Sequence, residues 1–327
     1  MRVKTLFLFF LLLFLLNAVV GCSENIDREG AAAGEEPGAI NSAGAPGNGQ
    51  PEALDEKTTG IILDSVVDVF REASTQSERV TQAIYNQPAE MLEEKDGWVK
   101  VKVADGYTGW IKSKYIDKNS SSLRIKGSKY RIVVTIKKSK ILSDAKYGTV
   151  LKEVVMGTEL YPVNSSDGWY EVALPGDKTG WLNESGTIQV PINEHISRTT
   201  PDDFVATAMK FKDTVYLWGG VSSLDGIDSQ GLVYMSGRIN GVDLPRDADG
   251  QYKCGKPVDK SAELLPGDLI FFSSNEDLKD ISYVGIYIDG GQFLYASKSD
   301  GYVMTGLTDN GYFQKRLVGI RRIFNGE

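Results

Sequence analysis

The chain has 327 residues, with 36 Lys and Arg against 44 Asp and Glu, a formal charge of −8 and a hydrophobic fraction of 41%. Such a length and composition describe a globular protein of two or three domains, and the acidic balance argues against nucleic acid and against anionic glycopolymers as electrostatically driven partners. Two cysteines allow at most one disulfide, so stability must rest on the core rather than on a covalent framework.

At the N-terminus Arg2 and Lys4 precede an apolar run from Leu6 to Leu16. The run is too short to span a bilayer and reads as a secretory signal over 1–21. It ends in Val19-Val20-Gly21-Cys22, small residues before a cysteine, as lipoprotein signal peptidase requires. Cys22 is therefore expected to carry lipid and to start a mature chain held at a membrane, outside the cytoplasm, in the cell envelope. Several acyl chains on one cysteine make a stable anchor. Loss of Arg2 and Lys4 with the signal leaves 34 basic against 44 acidic residues, a net charge of −10, and leaves Cys254 without a partner. From 22 to 59 no aromatic residue occurs, and Gly, Ala, Pro and Glu dominate. This composition cannot bury a core and predicts a disordered tether with a reach of roughly 30–36 Å.

Two copies of one pattern follow. Asp96-Gly97-Trp98 and Thr108-Gly109-Trp110 recur as Asp167-Gly168-Trp169 and Thr179-Gly180-Trp181, offset by 71 residues throughout. Both copies alternate apolar and polar residues around Gly-containing turns, which predicts antiparallel hairpins. The four tryptophans are expected to serve as core or strand-pairing aromatics. This D-G-W and T-G-W pattern resembles the bacterial SH3-like domain, a small bent β barrel, over 60–118 and 119–190. The resemblance implies binding or orientation of cell-wall material.

After Pro191 the pattern changes. Thr200, Pro201, Asp202 and Asp203 supply an N-cap, a first-turn proline and first-turn acids, ahead of Phe204, Val205, Ala208, Met209 and Phe211 at helical spacing. A second helix is expected near 229–238, then short strands at 268–272, 284–288, 291–296 and 316–323. Helices first and strands second read as α+β.

Five ordered segments carry a further resemblance: Tyr216-Leu217-Trp218-Gly219-Gly220, the run Gly226 to Val233, Leu244-Pro245-Arg246-Asp247-Ala248, Leu265 to Phe272, and Ser282 to Ile288. Together they resemble the NlpC-type cell-wall cysteine peptidases, a papain-like family. With two SH3-like barrels ahead of an α+β domain at 191–327, the chain is similar to the branch that cuts γ-D-glutamyl–diamino-acid bonds in stem peptides with a free N-terminal L-Ala. In that family a cysteine at a helix N-terminus is the nucleophile, a histidine on a strand is the base, and a second histidine orients it. The matching positions here are Ser229, Tyr283 and Tyr295, and the serine that follows the family's cysteine is Gln230.

A serine hydroxyl attacks only beside a base, and tyrosine, with its ordinary pKa near 10, is a poor proton acceptor at neutral pH. The single histidine, His195, lies in the linker before this domain. Three other arrangements stay open from sequence: Cys254 as a relocated nucleophile, Ser229 served by Tyr283 or Lys298, and a laboratory Cys→Ser exchange, which leaves Gln230 and both tyrosines unexplained. The resemblance further implies that Asp228 holds a ligand's free amino group, that Tyr216 lines the cleft with Arg246 and Asp247, and that Gln230 narrows it. The expectation is a catalytically disabled peptidase relative, without metal or cofactor, that binds a peptidoglycan stem peptide or a wall-associated protein. A protein scaffold and a hydrolase using Ser229 are the alternatives.

Overall fold

The computed structural model describes residues 55, 57–123 and 128–324, all within one compact unit, Ser42–Glu327. Cys22, the signal segment and nearly all of the expected tether lie outside the described residues. Among those described, no helix is long and apolar enough to cross a membrane.

Two β barrels come first. In the first, strands Arg79–Ile84, Val66–Phe70, Thr108–Lys112, Trp98–Lys102, Pro88–Lys95, Thr59–Ile62 and Ile116–Asp117 neighbour one another in that order. The second has a five-stranded sheet (Val150–Val155, Lys138–Leu142, Lys178–Asn183, Trp169–Leu174, Pro162–Ser166) and a three-stranded one (Glu159–Leu160, Tyr130–Val134, Thr187–Pro191).

The two repeat motifs have a geometric cause. Asp96 and Gly97 take φ of 48° and 81°, and Asp167 and Gly168 take 48° and 80°. Left-handed backbone at both turn positions is what a type I′ hairpin needs, and it favours Asp-Gly. The glycine of T-G-W allows a close strand crossing: a Cβ on Gly109 would lie 2.5 Å from the Phe70 carbonyl oxygen, and one on Gly180 2.5 Å from Ile141. The four tryptophans are only partly buried and lie outside the barrel cores. Trp110 lies opposite Phe70 in the strand pairing, and Trp98 meets Phe70 edge to face at 6.0 Å across the intervening strand.

The C-terminal domain is an antiparallel six-stranded sheet in the order Lys256–Val258, Leu317–Arg322, Leu269–Phe272, Tyr283–Asp289, Gln292–Ser297, Tyr302–Leu307. Helices α1 (Pro201–Met209) and α2 (Ser229–Ile239) precede it, with two short helices, α3 (Ala248–Tyr252) and α4 (Gly311–Arg316). Helix α1 starts in a capping box: Thr200 Oγ1 accepts from the Asp203 N–H and the Asp203 carboxylate accepts from the Thr200 N–H, both at 3.2 Å. Val284, Ile286, Leu294 and Ala296 share a core with Leu232 and Val233 of α2. Alternation sends Phe272, Tyr287, Phe293 and Tyr295 to the opposite face, where Phe313 covers them.

Both barrels are tied to this domain. Ile84 of the first and Val155 and Met156 of the second enter the core around α1 and α2. Glu159 of the second barrel pairs with Arg131 at 2.8 Å and with Arg238 of α2 at 2.5 Å.

Candidate functional site

Asp228 is the N-cap of α2, where its Oδ1 accepts from the Gly231 N–H at 2.6 Å. Its Oδ2 accepts from the Gly219 N–H and from Arg246 Nη2, both at 2.8 Å. Both partners of this ion pair are buried, with side-chain exposures of 4% for Arg246 and 6% for Asp228. Burial alone would lower the Arg246 pKa; pairing with Asp228, helped by Asp105, more than offsets it and keeps the guanidinium charged. Asp228, expected from the resemblance to meet a ligand ammonium, is thus already paired within the protein. A carboxylate offers about four acceptor positions; three are taken here, and its charge is already matched.

Asp247 has the free acceptor. As N-cap of α3 it accepts from the Gly250 N–H at 2.7 Å through Oδ1, while Oδ2 is buried with no hydrogen-bond partner among the described residues. It lines a pocket of about 150 Å³ with Asp228, Gln230, Arg246, Trp218 and, from the first barrel, Tyr107. Burial, the first cause, pushes the Tyr107 hydroxyl up to about 12, so this ring lines the pocket as a neutral phenol. Sequence reading missed Tyr107. The one available signal was that the second repeat has Lys178 in its place. Tyr216, expected in the cleft, packs against the core around α1 and α2.

At the first turn of α2, Ser229 is 2% exposed. Its hydroxyl donates to Gln230 Oε1 at 3.1 Å and accepts from the Val284 N–H at 3.4 Å. Gln230 Nε2 donates to the Ser282 carbonyl at 3.1 Å, so the longer side chain closes over the nucleophile position. Tyr283 stacks on Phe272 at 5.1 Å, and Tyr295 packs against Phe293 and Phe313 at 5.3 and 5.4 Å. Burial raises both phenol pKa values, with Tyr312 adding to the rise at Tyr283.

The other sequence candidates sit elsewhere. Cys254 is a free, half-buried thiol pushed up first by burial and then by Asp247, and its Sγ donates to the Gly250 carbonyl at 3.4 Å, so it lacks thiolate character. Lys298 is exposed just past the strand Gln292–Ser297, and His195 is exposed between the second barrel and α1. Among the described residues, no cluster of His, Cys, Asp and Glu could hold a metal ion.

The domains match known proteins. Residues 213–322 match the model of the NlpC/P60 family, and over 111 residues the chain is 40% identical to the probable endopeptidase NlpC of Escherichia coli (strain K12), covering 34% of this chain and 70% of that protein. The chain belongs to the NlpC/P60 family. Ahead of the NlpC/P60 domain, residues 65–117 match the bacterial SH3 domain and 133–187 the GW (Gly-Tryp) dipeptide domain. The γ-D-glutamyl-L-lysine dipeptidyl-peptidase of Bacillus subtilis (strain 168) is 28% identical over 254 residues, 75% of this chain and 81% of that protein. An NlpC/P60 family protein from Bacillus cereus ATCC 10987 shares the fold, with a TM-score of 0.74 at 21% identity over 81% of this chain and 99% of that one.

Proposed function

We propose that this NlpC/P60 protein is a catalytically disabled member, lipid-anchored through Cys22, that binds the free amino end of a peptidoglycan stem peptide without cutting it. The observation that supports the reading is the buried Oδ2 of Asp247, which has no hydrogen-bond partner among the described residues, in a side chain that lines a small pocket. An acceptor left without a partner costs about 1–3 kcal/mol, and a ligand ammonium would satisfy both its hydrogen-bonding need and its charge. A space of about 150 Å³, lined in part by Tyr107, has the size for a chain terminus. The dipeptidyl-peptidase relative favours the same ligand class, since an enzyme that removes dipeptides must recognise an amino end.

The loss of chemistry rests on Ser229, Gln230, Tyr283 and Tyr295 together. The hydroxyl has no base, and the tyrosines at the histidine positions are packed into an aromatic cluster as high-pKa phenols. Disabling a catalytic triad removes on the order of 10⁶ in kcat.

Incubation with L-Ala-γ-D-Glu-L-Lys and its diaminopimelate counterpart tests the reading. Saturable binding with no new amino groups over time supports it. Time-dependent release of the diamino acid would instead establish a hydrolase. Absence of binding, with a wall enzyme co-purifying, would establish a scaffold. Mass spectrometry of membrane-derived protein tests the anchor separately: an acylated N-terminal Cys22 is expected, and an unmodified terminus elsewhere contradicts it.

A further inference from the structure

The first barrel and the C-terminal domain enclose a second, larger space. A groove of about 450 Å³ is lined by Val66, Phe70, Lys112 and Tyr115 from the barrel and by Leu217 and Asp225 from the domain behind it. It shares no lining residue with the Asp247 pocket. Small-molecule sites occupy about 300–1,000 Å³ and favour domain boundaries; the groove meets both conditions, whereas the Asp247 pocket falls below that size.

Part of the lining is a fixed frame. Arg79 pairs with Asp68 through Nε at 2.7 Å and Nη2 at 3.1 Å, and its Nη1 donates to the Trp218 carbonyl at 3.1 Å. Gln82 donates to Asp68 at 2.9 Å and accepts from the Val221 N–H at 3.1 Å. Trp218 Nε1 donates to Glu78 at 3.0 Å. These bonds hold Leu217 and Trp218 as the wall between the two spaces.

Two charged groups in the groove stand outside the frame. Lys112 has no carboxylate within ion-pair distance among the described residues; its Nζ lies 5.8 Å from the Trp98 ring centroid. Asp225 has no cation partner there; the residue is exposed, and partial desolvation, followed by the neighbouring Asp68 and Asp64, raises its carboxyl pKa. The two are opposite in sign, border one groove and do not reach each other.

The barrel does not need this arrangement in order to fold. The second barrel repeats the same strand pairings with other residues: Phe70 opposite Arg79 becomes Leu142 opposite Val150, and Trp98 opposite Lys112 becomes Trp169 opposite Asn183. Frame and lysine belong to the first copy alone, the copy that faces the groove.

We propose that the groove is a second ligand site, for a small amphoteric molecule whose ammonium meets Asp225, whose carboxylate meets Lys112 and whose apolar part lies on Phe70 and Leu217. Charge-assisted hydrogen bonds are about twice as strong as neutral ones, and a ligand must carry both charges to meet both groups.

The test uses the full chain and N-acetyl-L-Ala-γ-D-Glu-diaminopimelate, which keeps an ammonium and carboxylates on its last residue but has no free L-Ala amine. Calorimetry is expected to show saturable binding that weakens at least tenfold in Lys112→Asn and, separately, in Asp225→Asn, and that is unchanged in Asp247→Asn. Lys112→Asn copies the residue the second barrel already carries, and thermal melts of each variant confirm folding. No saturable binding, binding indifferent to both groove variants, or binding lost only in Asp247→Asn would each overturn the proposal. It does not rest on the reading of Asp247: if the free peptide fails to use that pocket while the acetylated one still binds, only the former reading falls.

Discussion

Ser229 donates its hydroxyl hydrogen to Gln230 Oε1 at 3.1 Å, its next neighbour on α2, and Gln230 is anchored in turn on the Ser282 carbonyl. The position that would hold a nucleophile is closed by its own helix. Replacing oxygen by sulfur supplies a more acidic group at a helix N-terminus but no imidazole to take up its proton. Ser229→Cys alone is therefore expected to leave release of diaminopimelate at the level of a buffer control. Wild-type turnover that Ser229→Ala abolishes would contradict this.

The Asp228–Arg246 pair is buried, whereas Lys118–Glu94, at 2.5 Å, has side-chain exposures of 62% and 54%. Removing one member of a buried pair strands the other charge and costs about 3–5 kcal/mol, while exposed pairs contribute about 0–1 kcal/mol. Arg246→Met should lower the denaturation midpoint strongly and Lys118→Ala hardly at all. The double variant Asp228→Asn with Arg246→Met should lose less than the two single losses combined.

Asp105 accepts from the Thr81 hydroxyl at 2.5 Å and from the Tyr107 N–H at 3.0 Å. Burial is the largest cause acting on its carboxyl and leaves the pKa raised despite these bonds and Arg246. A carboxyl whose folded pKa is raised contributes stability that is complete below its unfolded value, 3.8, and is lost as pH rises through the folded value. Asp105→Asn keeps an acceptor for Tyr107 and a polar group for Thr81 without the charge. It is expected to raise the melting temperature at pH 7 and to make little difference at pH 3; a lower melting temperature at pH 7 would contradict this.

Gly109→Ala places a methyl 2.5 Å from the Phe70 carbonyl oxygen, a backbone atom that cannot swing away. Overpacking of this kind costs about 1–3 kcal/mol. Gly106→Ala, in a turn with nothing within 4 Å of its Cβ but a φ of 89°, should cost only the backbone strain. Urea titration of the two variants separates close approach from positive φ.

Local chemistry made much of the architecture legible. D-G turns demand left-handed backbone, and a capping box starts α1 at Thr200, so hairpins and helix could be read directly. Strand Lys256–Val258 escaped notice because Pro257 sits within it, a residue that only an edge strand tolerates. The tryptophans suggested core packing or strand pairing, and the close crossing at Gly109 and Gly180 leaves them partly buried outside the cores, a fact about curvature rather than composition. The site was legible as a set of positions but not as a set of partnerships. Arg246 reaches Asp228 across the C-terminal domain, and Tyr107 joins Asp247 in one pocket only where the first barrel packs on that domain, so tertiary contact decides which carboxylate is left for a ligand.

Calorimetry of L-Ala-γ-D-Glu-diaminopimelate against wild type and Asp247→Asn tests the central claim most directly. The free amine should meet Asp247 Oδ2 in a charge-assisted hydrogen bond, so the variant should lose about 1.5–3 kcal/mol of affinity at the pocket, roughly ten- to hundredfold. N-acetylation of the peptide should remove the same component, and the two losses should not add, because each deletes one contact. Wild type and Asp247→Asn binding the free peptide equally weakly would contradict the account, since the unpartnered carboxylate oxygen would then have no ammonium to meet.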